Sequence, residues 1–396
     1  MFGRRKRIYL DYASATPVLA KAQQASEKAA RVFANPGGLH AEAVAAKHLL
    51  TTSRERIAAH LGCKGRELIF TSGLTEANNI AIVGYARALE QKLRTLKDTH
   101  WIVSSIEHAS VLECFSEVER MGGTVTHIEP SPSGIISPER VMKVLRPATT
   151  FVSVGWGNNE IGTVQPLSRV AQVLRAHEKV HGITVVFHSD AGQAPLYLSP
   201  QVHTLGVDVL SLGSGKLYGP RGIGALYVGA RTQLSRIIFG GGQERGLRSG
   251  TEEPALAAGF AEAFDEISEL RDGEKRRLRI LRDEFAREIC ARIPNVIVNG
   301  NLKHALPHML NVSMPGNRTG EYLVLLLDRA GISLSTRSAC KEGEAESHVV
   351  AALGGAADTP WRARNTLRFS LGLQTTKADI KRVLDALVAA SSTNTS

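Results

Sequence analysis

Residues 183–222, ITVVFHSDAGQAPLYLSPQVHTLGVDVLSLGSGKLYGPRG, contain the two segments that decide the fold. Each begins with a run of apolar and β-branched residues; the first ends at Asp190, and the second leads into a glycine-rich loop that carries Lys216. Such runs are typical of strands that are buried on both faces of a sheet. Ligands of open α/β sheets bind beyond the carboxyl ends of the strands, so we predict that Asp190 and Lys216 lie close together there.

The same pattern extends outward from this stretch in both directions. Further strands are predicted at 67–70, 101–105, 150–156 and 224–228, and amphipathic helical patterns separate several of them. This alternation predicts an α/β fold with a mostly parallel sheet that is covered on both faces.

A change of pattern near residue 262 predicts a second, smaller α+β domain. A long charged helix over 262–290 is followed by the strand-like segments NVIVNG and LRFSLG and by a terminal helix, and the N-terminal strand IYLDY is expected to join them. We therefore predict a large ligand-binding domain at 14–262 and a small domain formed by 1–13 and 263–396.

The composition is that of a soluble globular protein, with 43% hydrophobic and 22% charged residues among 396. No apolar run reaches the roughly 20 residues of a membrane helix, and MFGRRKRIYL lacks the apolar stretch of a secretory signal, so we expect a cytoplasmic protein. Much of the net charge of +10 is interspersed with acidic residues. This favours solvated helix faces over a surface that binds nucleic acid directly.

Two strand-to-helix junctions carry candidate ligand-binding residues. In FTSGLTEANN, the N–H groups of Leu74 and Thr75 and the Thr75 hydroxyl could hold a phosphate, although Thr75 could equally serve as a helix N-cap. In SSIEHASVL, His108 could stack on a planar cofactor or shuttle protons, or could simply begin a helix.

The Asp190 carboxylate requires a cationic partner because it follows an apolar strand. A protonated pyridine nitrogen would be one such partner, and a structural capping role is the alternative. Lys216 is suited to Schiff-base chemistry in so apolar a setting. A lone loop lysine is usually solvated, but the pairing with Asp190 favours the catalytic interpretation.

The four cysteines show no metal-type CxxC spacing, and no metal site is predicted. Cys63, Cys114 and Cys290 lie among apolar or helical residues and are interpreted as packing thiols. Cys340 differs, because it lies in the polar segment SLSTRSACKEGEAES.

Ten segments between Tyr9 and Gly372 resemble, in order, the class V aminotransferase-like group of fold-type I pyridoxal 5'-phosphate (PLP) enzymes. The closest resemblance is to the NifS/IscS-type cysteine desulfurases, and NNEIG, GGGQERGLRSGT and SAC are specific to that group. The segments are YLDYASATP, FANPGGLH, FTSGLTEANN, SSIEHASVL, GWGNNEIGTVQP, HSDAGQA, GKLYGPRGIGALYV, GGGQERGLRSGTEEP, STRSAC and LRFSLG. The resemblance implies a mostly parallel seven-stranded sheet in a large PLP-binding domain, together with the smaller α+β domain.

The resemblance also implies roles for individual residues around the cofactor. Lys216 is expected to bind PLP covalently, Asp190 to contact its ring nitrogen and His108 to stack on its ring. Leu74 and Thr75 are expected to bind its phosphate.

The resemblance also assigns residues to the edge of the cofactor ring and to the substrate. Gln193 and Asn159 would touch the phenolic oxygen or the ring substituents, and Arg368 would clamp the substrate carboxylate with Asn35 beside it. Thr251 resembles a residue that reaches the phosphate of the neighbouring subunit, which implies a homodimer.

Cys340 matches the cysteine that carries the persulfide, and Arg337 and Lys341 would favour its thiolate. The implied reaction converts L-cysteine to L-alanine and leaves sulfur on Cys340 for an acceptor such as an Fe–S scaffold or a tRNA-thiolation enzyme. Three alternatives remain open: a selenocysteine lyase, another PLP-dependent lyase or aminotransferase, and a weakly active sulfur-relay or scaffold protein.

The chain departs from this group just before the lysine. The usual motif S-G-H-K places Ser and His side chains on the phosphate, whereas this chain has Gly213 and Gly215 at those positions. We expect Ser214, backbone N–H groups, Thr75 and Thr251 to replace them.

Overall fold

The computed structural model describes residues 6–337, 346–354, 359 and 361–392. The strands are β1 Ile8–Tyr9, β2 Leu68–Thr71, β3 His100–Ser104, β4 Thr124–Ile128, β5 Thr149–Ser153, β6 Val186–Asp190, β7 Val209–Gly213, β8 Gly224–Val228, β9 Ile297–Val298, β10 Met309–Ser313, β11 Ile332–Ser333 and β12 Thr366–Ser370. The helices are α1 Ala20–Ala29, α2 Ala41–Leu61, α3 Leu74–Leu93, α4 Ala109–Arg120, α5 Pro138–Val144, α6 Leu167–His181, α7 Val202–Leu205, α8 Pro254–Arg292, α9 Gly320–Arg329, α10 His348–Ala351 and α11 Lys377–Ser392.

Seven strands form the main sheet in the order β2-β8-β7-β6-β5-β3-β4. The strands from β7 to β4 are parallel, and β8 runs antiparallel to both of its neighbours. Alternate residues enter two different apolar clusters: Phe151 and Val186 lie in one, and Val152 and Phe187 in the other. Both faces are therefore buried, which explains the continuous apolar runs and confirms the predicted mostly parallel seven-stranded sheet.

The strand β4 was missing from the sequence prediction. It lies at the edge of the sheet beside β3 and is partly exposed along most of its length. An edge strand of this kind needs no continuous apolar run, so TVTHI lacks the signal that marks the inner strands.

The long charged helix predicted at 262–290 lies within the 39-residue α8. This helix begins at Pro254 after the Glu253 cap, and α1 and α2 pack along it. The predicted boundary between 262 and 263 falls inside this continuous helix, and the two-domain division stays a prediction.

The smaller α+β region contains the antiparallel sheet β12-β10-β9 and the parallel pair β1-β11. As expected from IYLDY, the N-terminal strand joins this region. Asp11 forms a bridge to Ser370 of β12, which brings the N-terminal segment beside Arg368. In the described part of the chain, no helix combines the length and apolarity needed to cross a bilayer.

Candidate active site

A cavity of about 190 Å³ opens where β2, β3, β5, β6 and β7 end. It brings together eight of the residues predicted from sequence: Leu74, Thr75, His108, Asn159, Asp190, Gln193, Lys216 and Arg368. His108, Asp190 and Lys216 converge because parallel strands present their carboxyl ends at one edge of the sheet. Arg368 instead enters the cavity from β12 of the smaller sheet.

The Lys216 amino group is held by the N-terminal segment. Its Nζ donates hydrogen bonds to the carbonyl oxygens of Ala13, at 2.7 Å, and Ser14, at 2.6 Å. Gln193 Nε2 donates to the same Ala13 carbonyl at 2.9 Å. The segment after β1 therefore fixes two of the predicted site residues, although no local feature of its sequence indicates this.

Two donors orient the carboxylate of Asp190. The Gly192 N–H donates to Oδ1 at 2.8 Å, and Asn78 Nδ2 donates to Oδ2 at 2.7 Å. Asn78 is fully buried and also donates to Ser110 Oγ at 2.9 Å. Asn78 was not predicted from the sequence; it lies one helical turn into α3 and links the start of that helix to Asp190.

His108 both caps a helix and lines the cavity. Its Nδ1 accepts a hydrogen bond from the Ser110 N–H at 3.1 Å, so the ring proton of the neutral imidazole lies on Nε2. Burial lowers the pKa of His108, and the nearby Lys216 charge lowers it further, while Asp190 opposes the shift. The structure shows the helix cap, and the stacking or proton-shuttling role of His108 stays a prediction that its place in the cavity allows.

Glu107 is a further cavity residue that sequence reasoning did not single out. Its carboxyl group is buried, and Oε1 accepts a hydrogen bond from the Gly155 N–H at 2.8 Å. Burial raises its pKa to about 8, and the Asp190 charge contributes to the increase. A Cβ at Gly155 would lie 2.7 Å from Glu107 Oε2, so the glycine makes room for this acid.

Arg368 on β12 is almost fully buried and faces the cavity from the smaller region. Its guanidinium donates to Asp11 Oδ1 at 2.9 Å, to Ser14 Oγ at 2.6 Å and to the Asn159 carbonyl at 3.0 Å. The Nε atom is buried and has no hydrogen-bond partner among the described residues. A planar cation with a spare donor is suited to a carboxylate.

Five predicted residues of the described chain do not line this cavity: Asn35, Thr251, Ser214, Gly213 and Gly215. Asn35 is exposed, and its Oδ1 accepts a hydrogen bond from the Gly37 N–H at 2.9 Å in a local turn. Thr251 is also exposed. Ser214 is buried, and its Oγ lies against Gly219, with no hydrogen-bond partner in the described part of the chain.

Gly213 and Gly215 line an adjoining cleft of about 190 Å³. It shares Ser14, Leu74 and Lys216 with the main cavity, so it lies between the lysine and the start of α3. The two glycines therefore border open space where the resembled group places phosphate ligands.

Cys340 lies outside the described residues. Burial raises the pKa of both Cys63 and Cys114 to about 12, so both remain thiols near neutral pH, in line with their predicted packing role. Cys290 departs from that prediction, because it is exposed on α8. Arg337, which was expected to favour the Cys340 thiolate, belongs to the described residues. Its guanidinium donates a hydrogen bond to Glu321 Oε1 at 3.1 Å.

The chain is similar to known proteins along almost its entire length. Residues 8–383 match the class-V aminotransferase family. The chain is 37% identical over 385 residues to the cysteine desulfurase IscS of Dictyoglomus turgidum, with 97% of this chain and 94% of that protein covered.

Solved structures give the same result. A NifS-like protein superposes with a TM-score of 0.88 at 28% identity, covering 98% of this chain and 100% of the other. A structure described as SspA in complex with cysteine superposes with a TM-score of 0.77 at 33% identity, covering 92% and 98%. The chain therefore belongs to the class-V aminotransferase family and, within it, to the NifS/IscS-type cysteine desulfurases.

Proposed function

We propose that this protein is a PLP-dependent cysteine desulfurase that converts L-cysteine to L-alanine and leaves a persulfide on Cys340. The observation that carries the proposal is the convergence of Lys216, Asp190 and Arg368 on one cavity. These side chains supply, in one place, an amine, a carboxylate and a planar cation for a substrate carboxylate. The relative from Dictyoglomus turgidum is named a cysteine desulfurase, and the SspA structure is described as a complex with cysteine.

The described residues fit PLP. Lys216 can bind its aldehyde carbon, Asp190 can pair with its ring nitrogen, and the neutral His108 ring can stack on the pyridine. At Gly213, a Cβ would lie 3.1 Å from Leu74 Cβ and 3.5 Å from Leu74 N, so the bare glycine leaves the start of α3 accessible to a phosphate.

When bound, PLP acts as an electron sink that weakens the bonds at the substrate Cα. The chain's own residues then have to place the substrate and move its protons. With PLP in place, Lys216 Nζ would be the group to take the Cα proton, because it lines the same cavity as Asp190 and Arg368. Its two carbonyl acceptors, on Ala13 and Ser14, would keep the protonated amine in place.

Glu107 determines how much negative charge the cavity carries. Because its pKa is raised to about 8, Glu107 is protonated near neutral pH, and the Asp190 carboxylate remains to pair with the ring nitrogen. A second ionised carboxylate would compete for the same cation and would disfavour the substrate carboxylate.

Arg368 orients the substrate through its carboxylate. Its Nε is unpaired among the described residues, while Asp11 and Ser14 accept from Nη2 and the Asn159 carbonyl accepts from Nη1. The orientation of the Arg368 guanidinium is therefore fixed before substrate binds, which reduces the entropic cost of binding.

The sulfur step balances without an external oxidant or reductant. The Cys340 thiolate attacks the substrate sulfur, the C–S bond of cysteine breaks and an S–S bond forms. The electron pair of the broken bond and one proton stay with the product, which leaves as alanine. The persulfide would then pass to an acceptor protein, such as an Fe–S scaffold or a tRNA-thiolation enzyme.

We also propose a cytoplasmic homodimer. Thr251 is exposed and does not line the cavity of its own chain. This position leaves its hydroxyl available to the phosphate of a neighbouring subunit. Equilibrium sedimentation of the purified protein would test the dimer, and a monomer at all concentrations would contradict it.

The function is tested by incubating purified, PLP-loaded protein with L-cysteine and a thiol reductant. Alanine and sulfide should appear in equal amounts, and Lys216→Ala should abolish both. Borohydride reduction followed by peptide mapping should place a pyridoxyl group on the Lys216 peptide. Failure to form alanine, or an adduct on a different lysine, would contradict the proposal.

A further inference from the structure

The two glycines that replace the usual phosphate ligands are not required by the backbone. Gly213 has φ −133° and ψ 120°, which any residue can adopt, and Gly215 is absent from the residues with positive φ. The two glycines therefore leave open space beside the start of α3, and a phosphate in that space has to be bound by other residues.

The cleft beside these glycines is suited to an anion. It is lined by the start of α3, at Gly73 and Leu74, and by two cations, Lys216 and Arg221. None of the described residues that line it carries a carboxylate. The α3 helix is 20 residues long and presents free N–H groups and the positive end of its dipole.

The acid closest in sequence to this helix start does not oppose an anion. Glu76 lies in the first turn of α3, where Oε2 accepts a hydrogen bond from the Ser72 N–H at 2.5 Å. Its Oε1 accepts from Arg248 Nε at 2.9 Å, so a guanidinium neutralises its charge.

Arg221 lies beside the position at which a side chain of residue 215 would begin. A Cβ at Gly215 would lie 3.4 Å from Arg221 Cγ, so the arginine stem passes directly beside the bare glycine. Arg221 is exposed, and it makes no hydrogen bond or ion pair with the rest of the described chain. Ser214, the sequence-based candidate, instead directs its hydroxyl to Gly219.

We propose that Arg221 binds the phosphate group of PLP and replaces the missing Ser and His ligands. Its guanidinium can reach the cleft because Gly215 carries no side chain, and it offers paired donors that match phosphate oxygens. The charge adds to that of the α3 N-terminus, at which the Leu74 and Thr75 N–H groups hold the same anion. This inference rests on the proposed PLP-dependent function.

The test compares PLP with pyridoxal, which lacks the phosphate but keeps the aldehyde and the ring. Dissociation constants are measured by absorbance titration of apo wild type, Arg221→Gln and Arg221→Lys. Loss of a charge-assisted hydrogen bond should weaken PLP binding by about tenfold to a hundredfold in Arg221→Gln. Pyridoxal binding should be unchanged in both variants. The PLP affinity of Arg221→Lys should lie between those of wild type and Arg221→Gln.

Arg276→Gln is the matched control. Arg276 is exposed on α8, makes no hydrogen bond or ion pair within the described residues and lies outside the cleft. This variant should bind both PLP and pyridoxal like wild type. Equal weakening of PLP by Arg276→Gln and Arg221→Gln would show a general charge effect and would overturn the proposal.

A second experiment restores the usual ligand. Gly215→His would place a ring in the cleft that Arg221 also lines, beside the arginine stem, and would supply its own donor. In the Arg221→Gln background it should recover PLP affinity by at least about tenfold, whereas in the presence of Arg221 the gain should be smaller. Equal gains in both backgrounds would show that the histidine and Arg221 do not serve the same phosphate and would contradict the proposal.

The outcomes separate this inference from the proposed function. If neither PLP nor pyridoxal binds to wild type at Lys216, the proposed function fails. If both bind and Arg221→Gln keeps the wild-type preference for PLP, only the role of Arg221 fails. Weakening of PLP and pyridoxal by the same factor also contradicts that role, since a phosphate contact affects only PLP.

Discussion

Replacing Glu107 with glutamine should make the apo protein more stable than wild type at alkaline pH. Burial raises the pKa of Glu107 from its usual 4.5 to about 8, so the folded protein keeps a proton that the unfolded chain loses. The stabilisation from this proton is complete below pH 4.5 and declines as pH rises, until the folded group ionises above pH 8.

The size of the effect follows from the two pKa values. The interval from 4.5 to about 8 corresponds to roughly 4–5 kcal/mol at about 1.36 kcal/mol per pKa unit. Between about pH 5.5 and about pH 9, the free energy of unfolding of wild type should therefore fall by roughly 3 kcal/mol relative to Glu107→Gln. Glutamine keeps the shape and the acceptor for the Gly155 N–H, so packing is matched.

The assay is urea unfolding of both apo proteins at equal concentration across this pH range. Comparing the two proteins at each pH cancels the titration of every shared group. Glu113→Gln, which removes an exposed carboxylate of α4, is the control for loss of one negative charge. A difference between Glu107→Gln and wild type that stays constant with pH would refute the assignment of a buried, protonated Glu107.

Three further changes probe the geometry of the site. Gly155→Ala should lower stability by roughly 1–3 kcal/mol in thermal unfolding, because its Cβ would meet the Glu107 carboxyl group at 2.7 Å; an unchanged melting temperature would contradict this. Asn78→Leu should weaken PLP binding by about tenfold in absorbance titrations, because Asp190 loses one of its two donors; wild-type affinity would argue against that support. Arg368→Lys should raise the KM for cysteine by roughly tenfold to a hundredfold in steady-state assays and leave the cofactor absorbance unchanged, since lysine lacks the paired donors; an unchanged KM would place the substrate carboxylate elsewhere.

The main features of the fold could be predicted because their signals are local. The inner strands of a doubly covered sheet must be apolar on both faces, so Asp190 and Lys216 stand out as polar residues that follow such runs. The edge strand β4 carries no such requirement and was missed. Most of the α8 helix was recognised, but its first residues, 254–261, were missed because they are mostly buried and rich in alanine.

The parts of the site that were missed depend on contacts between distant residues. Asp11 and Arg368 are 357 positions apart, and no spacing rule connects them. The pKa of Glu107 depends on burial and on the approach of Gly155, which follows a different strand. Ser214 was favoured as a phosphate ligand by its position in the sequence, but the short 3₁₀ turn at Ser214–Lys216 directs its hydroxyl to Gly219.

Locating the transferred sulfur tests the central claim most directly. PLP-loaded wild type is treated with L-cysteine, its thiols and persulfides are alkylated, and the peptides are analysed by mass spectrometry. One additional sulfur atom should be found on the Cys340 peptide, and Cys340→Ser should retain PLP absorbance while losing this signal and most of the alanine. A persulfide that forms normally on Cys63, Cys114 or Cys290 in that variant, or full alanine production without Cys340, would contradict the account.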